Sequence, residues 1–190
     1  MIDGFMSALQ PVIRAIEALN IPYYIGGSVA SSAFGAVRAT MDVDVIVRFP
    51  PSSVTQFVAQ LGNDYYVDAD GIAEAIRWGR SSNLIHLMTA LKIDLFCVKS
   101  SPYQDLSFMR VHRLPLDSRH PAISFAFASP EDVILSKLIW FEQGKRQALQ
   151  QWRDVIGIVR VQQALDVPYM QSWATLLGIG ELLDQLLDEG

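Results

Sequence analysis

Ile25-Gly26-Gly27-Ser28, thirteen intervening residues and then Asp42-Val43-Asp44 form the stretch whose reading decides the fold. Val43, Val45 and Val47 alternate with Asp42, Asp44 and Ile46, which predicts a strand with one fully apolar face. Residues two apart on a strand share a face, with Cα atoms about 7 Å apart. Asp42 and Asp44 are therefore neighbours on that strand and repel each other unless a cation sits between them. Magnesium suits hard oxygen donors of this kind and combines carboxylates with substrate phosphates. The other reading is a pair of solvent-facing acids on an edge strand. Gly26 and Gly27 allow a sharp turn and a close backbone approach to a ligand. Ser28 falls where a helix starts, and the N–H groups and dipole of a helix N-terminus favour phosphate. By themselves these three residues also fit a plain turn.

A third acid follows in Lys92-Ile93-Asp94-Leu95-Phe96. A carboxylate inside an apolar strand needs a partner. If that strand lies beside the first, Asp42, Asp44 and Asp94 converge and can hold two metals about 4 Å apart, as in-line phosphoryl displacement requires. Otherwise Asp94 is a structural acid paired with Lys92 or Arg38.

Outward from this centre, Phe5, Leu9, Ile13, Ile16 and Leu19 recur at helical spacing. Pro11 is either tolerated there or marks the true start. Residues 23–25 read as a short strand, 29–37 as a helix, 54–61 as a helix, 65–67 as a strand and 72–78 as a helix. Residues 84–88 and 91–98 read as a hairpin, 99–107 as irregular, and 110–116 and 123–127 as further strands. Ser129-Pro130-Glu131-Asp132 is a strong helix start: a capping serine, a proline at the first helical position and acids in the first turn. Helices are expected at about 130–143, 147–164, 168–177 and 179–188. The chain thus divides into an α/β (α+β) part, residues 1–128, and a helical part, residues 129–190, expected to pack on the first.

With 190 residues, 51% of them hydrophobic, the chain can bury a sizeable core. Its net charge of −5 does not favour long-range attraction to nucleic acid. The single cysteine, Cys97, excludes an internal disulfide and a thiolate metal cluster, and its apolar neighbours read as core. His86, His112 and His120 lack ligand spacing. Trp140, Phe141, Trp152 and Trp173 read as helix packing. No apolar run reaches the roughly 20 residues of a membrane helix, and the first residues lack the basic and apolar regions of a signal peptide. A cytoplasmic protein without membrane association is expected.

Together, the Gly-Gly-Ser turn, the Asp-x-Asp pair and the later strand acid resemble the nucleotidyltransferases of the DNA polymerase β superfamily. Arg38-Ala39-Thr40-Met41 is similar to the Arg-x-Thr-x segment that often precedes their acid pair. The motifs span roughly residues 20–98. Residues 131–138 and Arg153-Asp154-Val155 resemble a later segment of nucleotidyltransferase-like proteins of the abortive-infection toxin group, the minimal nucleotidyltransferases. The resemblance implies a mixed β-sheet flanked by helices, with a helical part following it. It implies a nucleoside triphosphate and Mg2+, with two metals on Asp42, Asp44 and Asp94. It places the phosphates on Gly26, Gly27 and Ser28, with Arg38, Lys92 and Lys137 as further phosphate contacts, and has Asp154 either fix Lys137 or support the site. From the residues alone, Lys137 reads equally as an exposed lysine and Asp154 as half of a surface pair with Arg153.

The expected activity is magnesium-dependent transfer of a nucleoside monophosphate to an acceptor hydroxyl on a small molecule, an RNA end or a protein. A toxin–antitoxin role follows from the same resemblance. The alternative is a non-catalytic nucleotide-binding or protein-interaction module. The apolar C-terminal run 173–187 fits either core cover or pairing with another chain, as a protein partner or a homo-oligomer.

Overall fold

The computed structural model describes residues 2–35, 40, 42–116 and 119–190. In chain order the elements are α1 (Ile2–Ala18), β1 (Tyr23–Ile25), α2 (Gly27–Phe34), β2 (Asp42–Val47), a 3-10 turn (Pro51–Ser53), α3 (Val54–Leu61), β3 (Tyr65–Val67), α4 (Ala69–Trp78) and β4 (Ser81–His86). They continue with β5 (Lys92–Cys97), α5 (Pro102–Met109), β6 (His112–Pro115), β7 (Ser124–Phe127), α6 (Pro130–Gln143), α7 (Leu149–Val161), α8 (Val167–Leu176) and α9 (Gly180–Glu189). Two compact units result. One comprises Met1–Ile25 and Thr40–Phe127, the other Gly26–Ala39 and Ala128–Gly190. α2, which the sequence division leaves inside residues 1–128, groups with the C-terminal helices.

The first unit holds a mixed sheet of seven strands in the order β3-β4-β5-β2-β1-β7-β6. β2 runs parallel to β5 and β1 parallel to β7, and the other neighbours are antiparallel. One face of the central strands is entirely apolar: Val43, Val45, Val47, Ile93, Leu95 and Cys97 are all buried. α1 meets the sheet on this side, where Tyr65 donates a 2.6 Å hydrogen bond to the Ala8 carbonyl. α1 runs straight through Pro11. An interior proline costs a helix about 3 kcal/mol. Leu9, Val12, Ile13 and Ile16 of α1 are each at most 1% exposed, and burying one such side chain gains about 1.5–3 kcal/mol. Burial therefore outweighs the proline.

Residues 102–109 form α5 where the sequence reading expected irregular chain. The start signal is the same as in α6. Ser101 accepts from Gln104 N–H, Pro102 opens the helix and Asp105 lies in its first turn. The apolar pattern that normally reveals a helix is weak, because only Ser107 of this helix is buried. β4 begins at Ser81, three residues before the expected strand, and its turn to β5 uses Ala90 at φ 55°.

The second unit is helical. α2 packs against α6 and α7. Gly35 lets the chain approach α7 closely, since a Cβ there would lie 2.9 Å from the Ile158 nitrogen. Gln162 donates a 2.7 Å hydrogen bond to the Phe34 carbonyl. Two buried acids join α6 to α8: Tyr169 donates to Asp132 at 2.7 Å, and Asp166 N–H donates to Glu131 at 3.0 Å. Among the described residues no helix is long and apolar enough to cross a membrane.

Candidate metal and nucleotide site

β2 and β5 pair in parallel, with Asp42 opposite Lys92 and Asp44 opposite Asp94. All four side chains belong to the face opposite the buried valines, because successive residues of a strand alternate faces. The sheet thus brings the three acids of the sequence reading onto one surface, with a lysine among them. β4 extends the row, placing Asn83 opposite Asp94 and Ile85 opposite Lys92. On β1, Tyr24 stands opposite Ile46 on the same face, and α5 meets it there through Phe108, ring to ring at 5.0 Å, and Gln104.

The Lys92 ammonium lies 2.9 Å from Asp94 Oδ2 and 3.9 Å from Asp42 Oδ1. Its pKa is raised, first by the hydrogen bond to Asp94 and then by the charges of Asp94, Asp42 and Asp44, against a desolvation that lowers it. The exposure of the acids is graded: the Asp42 side chain is 57% exposed and that of Asp94 17%. Asp94 thus makes the closer of the two contacts with Lys92. Among the described residues, no group of three or more histidine, cysteine, aspartate or glutamate side chains is gathered to hold a metal ion. The donors have the right chemistry for magnesium, being hard carboxylate oxygens on a partly exposed face. Lys92 stands beside two of them.

Asn83 escaped the sequence reading. It is exposed and adjacent to Asp94. Only the pairing of β4 with β5 reveals it, since nothing in Ser81-Ser82-Asn83 marks it locally. A depression of about 390 Å³ opens beside it, lined by Tyr66, Glu74, Trp78, Arg80 and Ser81 among others.

The glycine turn belongs to the helical unit. Gly27 opens α2 at φ 55°, a left-handed conformation that disfavours a side chain. Gly26 precedes it, and among the described residues no side chain caps the helix start. The sequence reading began the helix at Val29; Gly27 and Ser28 form its first turn. In the same unit Lys137 donates to Asp154 Oδ2 and to Gln151 Oε1, both at 2.8 Å. The Lys137 side chain is 3% exposed and that of Asp154 9%. The readings of Lys137 as an exposed lysine and of Asp154 as a surface partner of Arg153 are thereby corrected. Arg38 lies outside the described residues.

The remaining candidates are structural. His86 is buried and hydrogen-bonded to Thr89 at 2.8 Å. Trp152 lies against Phe141, 5.3 Å between ring centroids. Trp140 is 54% exposed. Cys97 is buried, which pushes its thiol up to about 11.

No family model and no curated protein matches the sequence. Among solved structures, the chain is similar to an antigenic nucleotidyltransferase-like protein from Paracoccidioides brasiliensis. The identity is 19% and the TM-score 0.51, covering 94% of this chain and 90% of that one. The fold is nucleotidyltransferase-like. A weaker likeness, with 14% identity and a TM-score of 0.46, extends to the antibiotic-resistance factor ANT(2'')-Ia, covering 93% of this chain and 96% of that one. In this nucleotidyltransferase-like chain the expected mixed sheet flanked by helices is present, and the acid pair lies on a central strand.

Proposed function

We propose that the protein is a magnesium-dependent nucleotidyltransferase that moves a nucleoside monophosphate from a nucleoside triphosphate to an acceptor hydroxyl. The observation that carries this reading is the row of Asp42, Asp44 and Asp94 on one face of two central strands in a nucleotidyltransferase-like fold. Asp42 and Asp44 would hold the metal, whose charge supports the α-phosphate during transfer. Asp94 would act on the acceptor side of the row. The chemistry needs little covalent help, since positioning and charge neutralisation supply most of the rate.

The depression beside Asn83 has the size of a small-molecule site, which supports a small hydroxylated acceptor. Assignment to a toxin–antitoxin pair rests on the resemblance of residues 131–138 and 153–155. The contact of Lys137 with Asp154 is compatible with it.

The test is pyrophosphate release from each of the four nucleoside triphosphates with magnesium, across a panel of small hydroxylated acceptors. Asp42→Asn is expected to lower turnover about 10²–10³-fold with unchanged circular dichroism. Normal turnover by a folded Asp42→Asn protein would end the proposal. Binding without turnover on any acceptor would favour the non-catalytic nucleotide-binding module.

A further inference from the structure

The depression beside Asn83 is built on an interrupted sheet edge. β3 pairs with β4 at Leu84, Ile85 and His86, then ends at Val67, where the chain turns into α4. Cys97 N–H donates to the Arg80 carbonyl, and His86 N–H to the Leu91 carbonyl. Opposed residues of an antiparallel ladder alternate between bonded and non-bonded pairs. Ser82 and Leu84 are therefore bonded to β5. Ser81 and Asn83 turn their backbone N–H and C=O groups to the other side, beyond the end of β3. A strand edge of this kind offers fixed donors and acceptors. Ser81, Ser82 and Asn83 line the depression of about 390 Å³ together with α4. Tyr66 and Trp78 line it too, and their side chains are 61% and 57% exposed. Aromatic walls with a few polar groups are the usual make-up of a small-molecule site. Charge around it is balanced. Asp68 and Glu74 are acidic, Arg80 is basic, and the Arg77 guanidinium stacks on the Trp78 ring at 5.0 Å. Asp68 also caps α4 by accepting from Asp70 N–H, which satisfies that helix end without an anion. The depression thus selects for neither sign of charge.

We propose that this depression is the acceptor subsite and takes an uncharged, hydroxylated saturated ring, a saccharide, seated on Tyr66 and Trp78. The inference rests on the nucleotidyltransferase reading and names its substrate class. The face of an aromatic ring carries negative partial charge, and so it receives the C–H bonds of a saturated ring. The hydroxyls of that ring reach the strand edge at Ser81 and Asn83. The Asn83 side chain adds an amide that both donates and accepts. Asn83 also stands opposite Asp94, in a non-bonded pair, where side chains lie closest. It joins the depression to the acid face and turns one hydroxyl of the bound ring toward Asp94. A polyanion such as an RNA end gains nothing from walls of balanced charge.

The experiment is saturation-transfer NMR of the methyl glycosides of glucose, galactose, mannose and ribose with the full chain. It is run on the protein alone and with magnesium and each nucleoside triphosphate. Methyl glycosides of glucosamine and glucuronic acid supply a cationic and an anionic counterpart. At least one neutral glycoside is expected to bind, and more tightly than either charged one. Trp78→Ala and Tyr66→Ala should each weaken it about tenfold, and Trp78→Phe should retain most of the affinity. Asn83→Ala should weaken it as well. All three side chains are exposed, and circular dichroism checks the fold of each variant. No glycoside binding, tighter binding of a charged glycoside, or undiminished binding in Trp78→Ala would overturn the inference. Nucleotide binding in the same samples keeps the two readings apart. Nucleotide bound without any glycoside ends the saccharide site alone. Glycoside bound without any nucleotide ends the transfer reading, and the acceptor role of the site with it.

Discussion

Two lysine–aspartate pairs of nearly equal length sit in opposite environments. Lys92–Asp94 on the sheet face spans 2.9 Å, with the two side chains 40% and 17% exposed. Lys137–Asp154 between α6 and α7 spans 2.8 Å, with 3% and 9% exposed. Distance does not distinguish them, but solvent does. The exposed pair can trade partners at small cost, because water screens each charge as it is released. The buried pair cannot, because either ion alone would be stranded in a low-dielectric interior. Lys137 is further held by Gln151, and Asp154 accepts from Gln150 at 2.8 Å. A site that exchanges ions with its ligands is expected where the first pair is. A clamp between helices is expected where the second is.

The largest effect should come from breaking the clamp. Lys137→Met leaves Asp154 buried without its cation and should lower stability by about 3–5 kcal/mol in urea denaturation. Adding Asp154→Leu should recover much of that loss, because an apolar pair no longer carries an unpaired charge. An intermediate effect belongs to the buried face of β5. The Cys97 thiol is held up to about 11 by burial, against an ordinary 9.0. The unfolded chain therefore releases this proton first. Cys97 should contribute stability that is intact below pH 9 and is lost as pH rises towards 11. The measurement is the urea midpoint at pH 8 and pH 10.5, and Cys97→Ala should show the smaller decline. The smallest effect is expected from Lys92→Met, within about 1 kcal/mol in the same denaturation. A loss as large as that of Lys137→Met would show that the two pairs are alike after all.

Much of this contrast was visible in the sequence, but not all. The alternation in Asp42-Val43-Asp44-Val45 defines β2 and its polar face by local pattern alone, and Asp94 inside an apolar run does the same for β5. That Lys92 sits beside both Asp94 and Asp42 depends on the parallel register of two strands joined by a long excursion through α3, β3, α4 and β4. No local pattern encodes that register. Asn83 was invisible for the same reason. The Lys137–Asp154 contact spans 17 residues between two helices, and the residues alone could not tell a buried lysine from an exposed one. α5 was missed although Ser101-Pro102 repeats the start signal of Ser129-Pro130, because its few buried residues gave no amphipathic period. The grouping of α2 with α6 and α7 depends on contacts more than 90 residues apart in the chain, such as that of Gln162 with Phe34.

The most direct test of the central claim, that the Asp42–Asp44 face is a metal–nucleotide site, is calorimetric titration of each nucleoside triphosphate into the wild type and Asp42→Asn, with and without magnesium. The account predicts binding of at least one nucleotide that requires magnesium and is weakened at least about tenfold, or 1.4 kcal/mol, by Asp42→Asn. Binding of equal strength in both proteins, or no binding of any nucleotide to the folded wild type, would contradict it.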